Sequence, residues 1–442
     1  MKKKLFLCFV FIVEATMLVF AGGRSQSQSS QAGTVVLQIW GGVPAEYGPD
    51  AAVEEFNAVF KDKGIQAEYT RFVNDDSGNM RLETTLMAGD SIDVYMTYFS
   101  SQLVKRIEGN MVLDITDRIN NDPGFNKNGF GSTLNDYVYN GRHYCFPTKV
   151  NLEGIMVNKN MFDAAGIPIP KSWTISEFRD VTRRLTRGNG ENKVYGVFFN
   201  PLPNILYPLQ TTVEQVLGGD WMYGAGGRTS SFDSPVIKEY VQAMNDMMNV
   251  DQSAPTYVDM VTQKLTLEGM YLSEKCAMAY GSWSIRSVKD IENYPHDFVT
   301  AFVPYPIPDD RKVNFAQGSS GDMICINPKS RNIDAAWEYL KWYSQNGMIP
   351  MARGGRIPIY TGYRTDDVLA AFMDGGEKIL DAATTPVVVA PRENYATPKI
   401  TLRSAELTQI YIEELEAILN KAKTVDSGLV DAKARGDRLL SQ

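Results

Sequence analysis

The sequence predicts an α/β protein organised into two domains, and three observations carry that reading. Beyond residue 33, strand-like and helix-like patterns follow one another in turn, which is the signature of a parallel sheet with crossover helices. The 442 residues exceed what one hydrophobic core supports. The composition, 44% hydrophobic and 22% charged, is that of an ordinary globular chain, and no internal repeat is visible.

The elements can be justified in order. "TVVLQIWGG" is apolar, β-branched and stopped by two glycines, so it reads as a buried strand. "GPDAAVEEFNAVFKDKG" sets Ala52, Val53, Phe56, Val59 and Phe60 on one helical face and stops at Gly64. "IQAEYTRFV" predicts a second strand, "NMRLETTLMAGD" a second helix and "IDVYMTY" a third strand. In such sheets ligands sit beyond the carboxyl ends of the strands, which points at Trp40, Gly41 and Gly42 and at Tyr98, Phe99 and Ser100. "YVYNGRHYCF" is a hairpin pattern, because Asn140 and Gly141 tolerate the positive φ angles of a tight turn. The strand "EGIMVN" follows, and Gly166 ends the next helix. Thr174 and Glu177 then form a capping box, with Trp173 and Phe178 as its hydrophobic staple. That spacing assigns Trp173 to structure. Ser234 and Pro235 open a helix that turns Val236, Tyr240, Ala243 and Met247 inward. "EKCAMAYGSWSI" is a strand broken at Gly281, with Trp283 on the turn before a new helix. "DFVTAFVP", a Pro-rich loop and "NFAQGSSGDMICINP" predict two further strands. "NIDAAWEYLKWYSQNG" is amphipathic, with Ile333, Ala336, Trp337, Leu340 and Tyr343 on one side, and a turn, "ARGGRIPIY", precedes a helical, charged tail.

The first residues read as a targeting segment. Lys2, Lys3 and Lys4 precede an apolar run that ends in small residues at Ala21, the layout of a signal peptide over residues 1–21. Glu14 interrupts that run and argues against a retained membrane anchor. Cys8 follows Leu7, too bulky for a lipidation site, so a soluble extracytoplasmic protein is expected. Residues 22–33 form a Ser/Gln/Gly linker. Removing three lysines and Glu14 would take the formal net charge from −8 to −10. That acidity, without basic clusters, argues against nucleic acid and anionic membranes as partners. Two histidines, His143 and His296, are too few for a His-rich metal site, and neither a metal nor another cofactor is expected. Cys145, Cys276 and Cys325 read as buried apolar residues, with a bridge between one pair left open.

The motif order resembles a known family, the extracellular solute-binding proteins of ATP-binding-cassette sugar importers. "AGDSIDVY", "LVKRIEGNMVLDITDRI", "YCFPTKVNLEGIMVNKNMFDAAGIPIPKSW", "EKCAMAYGSWSI", "INPKSRNIDAAWEYLKW" and "GGRIP" carry the resemblance. It implies the two-lobed periplasmic-binding-protein fold, with crossing hinge segments and a ligand cleft between the lobes. Residues 34–148 and 315–360 would form one lobe, residues 149–314 and 361–442 the other. It also implies a monomer that holds a sugar and hands it to membrane permease subunits. By the same resemblance Trp283 is the aromatic that stacks on a sugar face, and Trp40, Gly41 and Gly42 line the cleft. Asn151 sits at the hinge-strand position of a hydroxyl contact, where maltose binders carry Glu. Gln317, Gly318 and Ser319 match the return hinge, and Arg356 lies in the turn nearest the ligand.

The chemistry fits a sugar on its own terms. Aromatic rings cover the C–H faces of a sugar, and Asn, Gln, Asp and Arg satisfy its hydroxyls once water is expelled. The rival is a secreted carbohydrate-active enzyme with paired carboxylates, for which 52 Asp and Glu leave room. No nucleophile elbow, phosphate loop or dinucleotide fingerprint supports it. A structural adhesin is disfavoured by the mixed pattern without repeats.

Overall fold

The computed structural model describes residues 33–442 apart from 90, 153, 202–204, 282–283, 391–393 and 397–402. The expected signal peptide and Trp283 therefore lie outside the described residues. No helix among the described residues is long and apolar enough to cross a membrane.

Among the described residues ten strands form two sheets. In chain order they are β1 (Val35–Gly41), β2 (Ile65–Arg71), β3 (Val94–Thr97), β4 (Phe146–Asn151), β5 (Ile155–Asn158), β6 (Tyr195–Phe198), β7 (Cys276–Tyr280), β8 (Thr300–Val303), β9 (Ser319–Ile326) and β10 (Ile357–Pro358). The first sheet has the order β10-β4-β9-β3-β1-β2 and the second β6-β7-β5-β8. β1 is parallel to β2 and β3, as the alternating pattern predicts. The sheet is mixed rather than purely parallel, because β9 enters antiparallel between β3 and β4. The chain leaves the first sheet after Asn151, rather than after Thr148, and reaches the second at Ile155. It returns between β8 and β9 and leaves again after β10. There Phe372 meets Phe302 of β8 at 5.9 Å, and Leu380 bridges to Thr300.

Local chemistry explains most element boundaries. Thr174 accepts from the Glu177 amide while Glu177 accepts from the Thr174 amide, the reciprocal pair of a capping box. Trp173 and Phe178 meet edge to face at 5.0 Å, the predicted staple. Gly64 stops its helix with φ of 66°. Asn140 and Gly141 take φ of 49° and 74°, which the tight turn needs, but the hairpin is only an isolated bridge between Tyr139 and Arg142. Ser234 precedes helix Pro235–Asn249 without a side-chain capping bond. Val59 corrects the predicted face of helix Pro49–Phe60. It is 63% exposed, because Ala52, Val53, Phe56 and Phe60 already complete the stripe. Tyr339 and Trp342 are buried beside Trp337 and Tyr343, so helix Ile333–Gln345 is covered over a wider arc than its predicted side, and Ile333 lies half-exposed at its start.

One face of the first sheet buries Trp40, Phe72, Leu82, Leu86, Tyr95 and Leu103 under helices Asp76–Ala88 and Ser100–Glu108. Inside that layer Arg106 is fully buried. Its Nη1 donates to Thr97 Oγ1 (2.7 Å), its Nη2 to Asn79 Oδ1 (2.7 Å) and its Nε to Glu83 Oε1 (3.3 Å). Cys145, Cys276 and Cys325 are free, buried thiols.

Candidate functional site

The site is built at the carboxyl ends of β1 and β3. β1 ends at Gly41, and the chain continues through Gly42 and Val43 into the short helix Ala45–Tyr47. β3 ends at Thr97, and Tyr98 follows. β9 runs the other way, so its residues before Met323, which pairs with Thr97, project past the end of β3. The turn before β10 brings in Arg356, whose amide bonds the Met351 carbonyl at 3.0 Å.

Two tyrosines brace these strand ends. The Gly42 amide donates to the Tyr98 hydroxyl at 2.6 Å, and the Tyr69 hydroxyl donates to the Val43 carbonyl at 2.6 Å. A Cβ on Gly42 would come within 2.9 Å of the Tyr98 ring, and one on Gly41 within 2.7 Å of the Tyr69 hydroxyl. The glycines are needed for the tyrosines to close in. Burial first, and the Asp322 carboxylate second, hold the Tyr98 phenol above its ordinary range. Burial does the same for Tyr69, Tyr339 and Tyr343. These hydroxyls stay protonated and neutral at any physiological pH.

Asp322 is the least ordinary residue here. It lies within β9 with φ of 51°, a left-handed conformation that costs a non-glycine residue on the order of 1 kcal/mol or more. Its Oδ2 stands 3.5 Å from Arg356 Nε. Arg356 Nε and Nη1 are buried, and neither makes a hydrogen bond to the described residues. Such donors are costly unless something else completes them.

Helix Ile285–Lys289, which follows β7 of the second sheet, reaches the same region. The Arg286 guanidinium lies over the Tyr47 ring at 5.7 Å, and Lys289 Nζ donates to the Arg353 carbonyl at 3.0 Å. Tyr47 in turn packs against the glycine turn before Arg356, where a Cβ on Gly354 would fall 2.4 Å from the Tyr47 carbonyl. Both sheets thus contribute to one site.

The residues singled out from sequence distribute unevenly. Gly41, Gly42, Tyr98 and Arg356 come together. Asn151, Gln317 and Gly318 form a second group where β4 and β9 run side by side. Asn151 Nδ2 donates to Ser319 Oγ at 3.1 Å, and Gln317 Oε1 accepts from the Tyr305 amide at 2.8 Å. Gly318 takes φ of 143°, and a Cβ there would face the Asn151 carbonyl. Trp40 is 8% exposed in the core, with the Arg81 guanidinium 5.2 Å from its ring. Ser100 opens the helix Ser100–Glu108 and is half-exposed. Tyr69, Asp322 and Arg286 are additions. Only the positive φ at Asp322 could mark it, and a single sequence does not show backbone angles. Among the described residues no group of three or more His, Cys, Asp and Glu could hold a metal ion.

The sequence model of the bacterial extracellular solute-binding proteins matches residues 45–348. The chain belongs to that family. Solved structures share the fold of this solute-binding protein over nearly their whole length. A sugar transporter from Rhizobium etli in an open conformation has a TM-score of 0.71 at 18% identity, with 91% of this chain and 99% of that one covered. An ABC substrate-binding protein from Listeria monocytogenes in complex with cycloalternan has a TM-score of 0.70 at 16% identity, covering 92% and 99%. The maltose/maltodextrin-binding domain from Bdellovibrio bacteriovorus bound to maltotriose has 0.63 at 17%, covering 92% and 100%. These neighbours are two-lobed periplasmic binding proteins, and this chain has that fold. No curated protein matches the chain.

Proposed function

We propose that this solute-binding protein captures a carbohydrate between its two lobes outside the cytoplasm and delivers it to the permease of an ATP-binding-cassette importer. The observation that carries the reading is the convergence of Arg286 from the second lobe on Tyr47 and the Arg356 turn of the first. A ligand seated there touches both lobes and so gains affinity only when they close, which is what drives closure. Neutral phenols, Asn151 and the unsatisfied Arg356 donors suit a ligand rich in hydroxyls. The cycloalternan and maltotriose bound by two of the structural neighbours support a sugar as the ligand. Trp283, which lies between β7 and helix Ile285–Lys289 in the sequence, would stack on its face. The protein would act as a monomer, with signal cleavage near Ala21 releasing it.

A thermal-shift screen across mono- and oligosaccharides tests this first, since a ligand that binds only the folded state raises stability. Labelled sugar recovered unchanged on the protein supports capture, and turnover would replace it with a carbohydrate-active enzyme. Small-angle scattering should show a smaller radius of gyration on saturation. An unchanged radius in a protein shown to bind would end the closure mechanism. Mass spectrometry of the exported protein tests the cleavage point.

A further inference from the structure

We infer that the ligand of this site is an anionic carbohydrate, a sugar carrying a carboxylate or phosphate, whose negative group is held between Arg286 and Arg356. The inference rests on the carbohydrate reading above and adds its charge. Arg356 presents two buried N–H donors without acceptors, and the nearest carboxylate, Asp322, stands off at 3.5 Å. Arg286 makes no hydrogen bond or ion pair to the described residues and rests on the face of Tyr47. Burial first and the charge of Arg356 second hold the Arg286 guanidinium below its ordinary range, and Arg71 adds to the repulsion.

Apart from Asp322, 3.5 Å from Arg356, no carboxylate of the described residues pairs with either guanidinium. Glu268, which acts on Arg286, accepts from Ser287 Oγ at 2.9 Å, and Asp290 accepts from Asn293. Arg356, with its buried unfilled donors, and the half-buried Arg286 of the opposite lobe are thus near enough to repel each other, in a chain whose formal net charge is −8. Like charges brought together in a partly dry cleft are unfavourable until an anion separates them. Guanidinium groups match carboxylate and phosphate oxygens with paired hydrogen bonds. An anion between the lobes would also convert their repulsion into a closing force.

The test is calorimetric titration of the purified protein with uronic-acid oligosaccharides, the neutral oligosaccharides of the same linkage and length, sugar phosphates, and simple carboxylates and phosphate. Acidic sugars should bind in preference to their neutral counterparts, and that affinity should fall as sodium chloride is raised. The uronate and sugar-phosphate arms separate the two sources of charge. Arg286→Gln and Arg356→Gln should each weaken acidic ligands by roughly 30-fold or more, a loss about ten times larger than either causes with neutral sugars. Arg286→Gln guards against a folding artefact, because the Arg286 side chain makes no hydrogen bond to the described residues, and Arg286→Lys should recover part of the loss. Neutral sugars binding as tightly as acidic ones would overturn the charge and leave the carbohydrate reading standing. Binding of simple anions without any sugar would do the reverse. No binding in any arm would overturn both.

Discussion

Arg106 and Arg356 both serve the first sheet, both are largely enclosed, and their surroundings could hardly differ more. Arg106 has Glu83, Thr97 and Asn79 arranged around its fork, so its burial is met in full by hydrogen bonds. Arg356 has one carboxylate at 3.5 Å and buried donors with nothing to bond. The first is scaffold. On the proposed function the second is a group held ready at a cost in folding free energy, with binding to supply the missing partners.

The largest effect that would break this contrast is on stability. Arg106→Ala should lower the unfolding free energy by about 3 kcal/mol, since it empties a fully buried site and takes a partner from Thr97, Asn79 and Glu83, the last still held by Lys105 at 2.6 Å. Urea denaturation showing a loss under about 1 kcal/mol would mean the network is ornamental. Next, Trp283→Ala should weaken ligand binding by about 2 kcal/mol with the denaturation midpoint unchanged. Calorimetry with equal affinity for mutant and wild type would remove its stacking role.

Glu214 is a third buried ionisable group, met by a single side-chain bond among the described residues, from Gln210 at 2.8 Å. Burial pushes its carboxyl from 4.5 up to about 8. The folded state then keeps a proton that the unfolded chain has released. Stability from this group is complete below pH 4.5 and declines by about 1.4 kcal/mol per pH unit as the pH rises toward 8. Glu214→Gln should flatten that slope in thermal melts across the window, and an unaltered slope would show that Glu214 is charged in the fold. The smallest effect is the most pointed. Arg356→Ala should change stability by no more than about 1 kcal/mol, despite its burial, while the liganded protein stays more open in scattering.

Local grammar was readable without coordinates. The Thr174–Glu177 capping box, the stop at Gly64 and the limits of β7 all follow from neighbours a few residues apart. Val59 was misjudged because a helical stripe predicted from spacing has soft edges, and packing decides which edge is covered. The meeting of Gly41, Gly42 and Tyr98 at neighbouring strand ends was legible, because a rule about strand ends applies to each alone. Tyr69 and Asp322 were not, since one is paired across the sheet and the other depends on a backbone angle. Arg286 meets Tyr47 only through the tertiary fold, and nothing in its own neighbourhood announces the meeting. Trp40 is conspicuous in the sequence, but its burial beneath Arg81 depends on the helix that packs over β1, which its own neighbourhood does not announce.

The position of β9 has a consequence for how the chain comes together. It is an interior strand of the first sheet, bonded to both β3 and β4, yet Ser319 lies 168 residues after its partner Asn151. Until β9 is available, β1–β3 and β4 cannot form one sheet, and the facing edges of β3 and β4 are bare. All four strands of the second sheet are present once Val303 has been made. The later-begun half can therefore assemble first, and the earlier-begun half must wait for a strand from across the hinge, at the loop-closure cost of a long-range pairing. A chain arranged this way keeps its amino-terminal half unfinished through most of its synthesis, the state in which an export channel can still thread it.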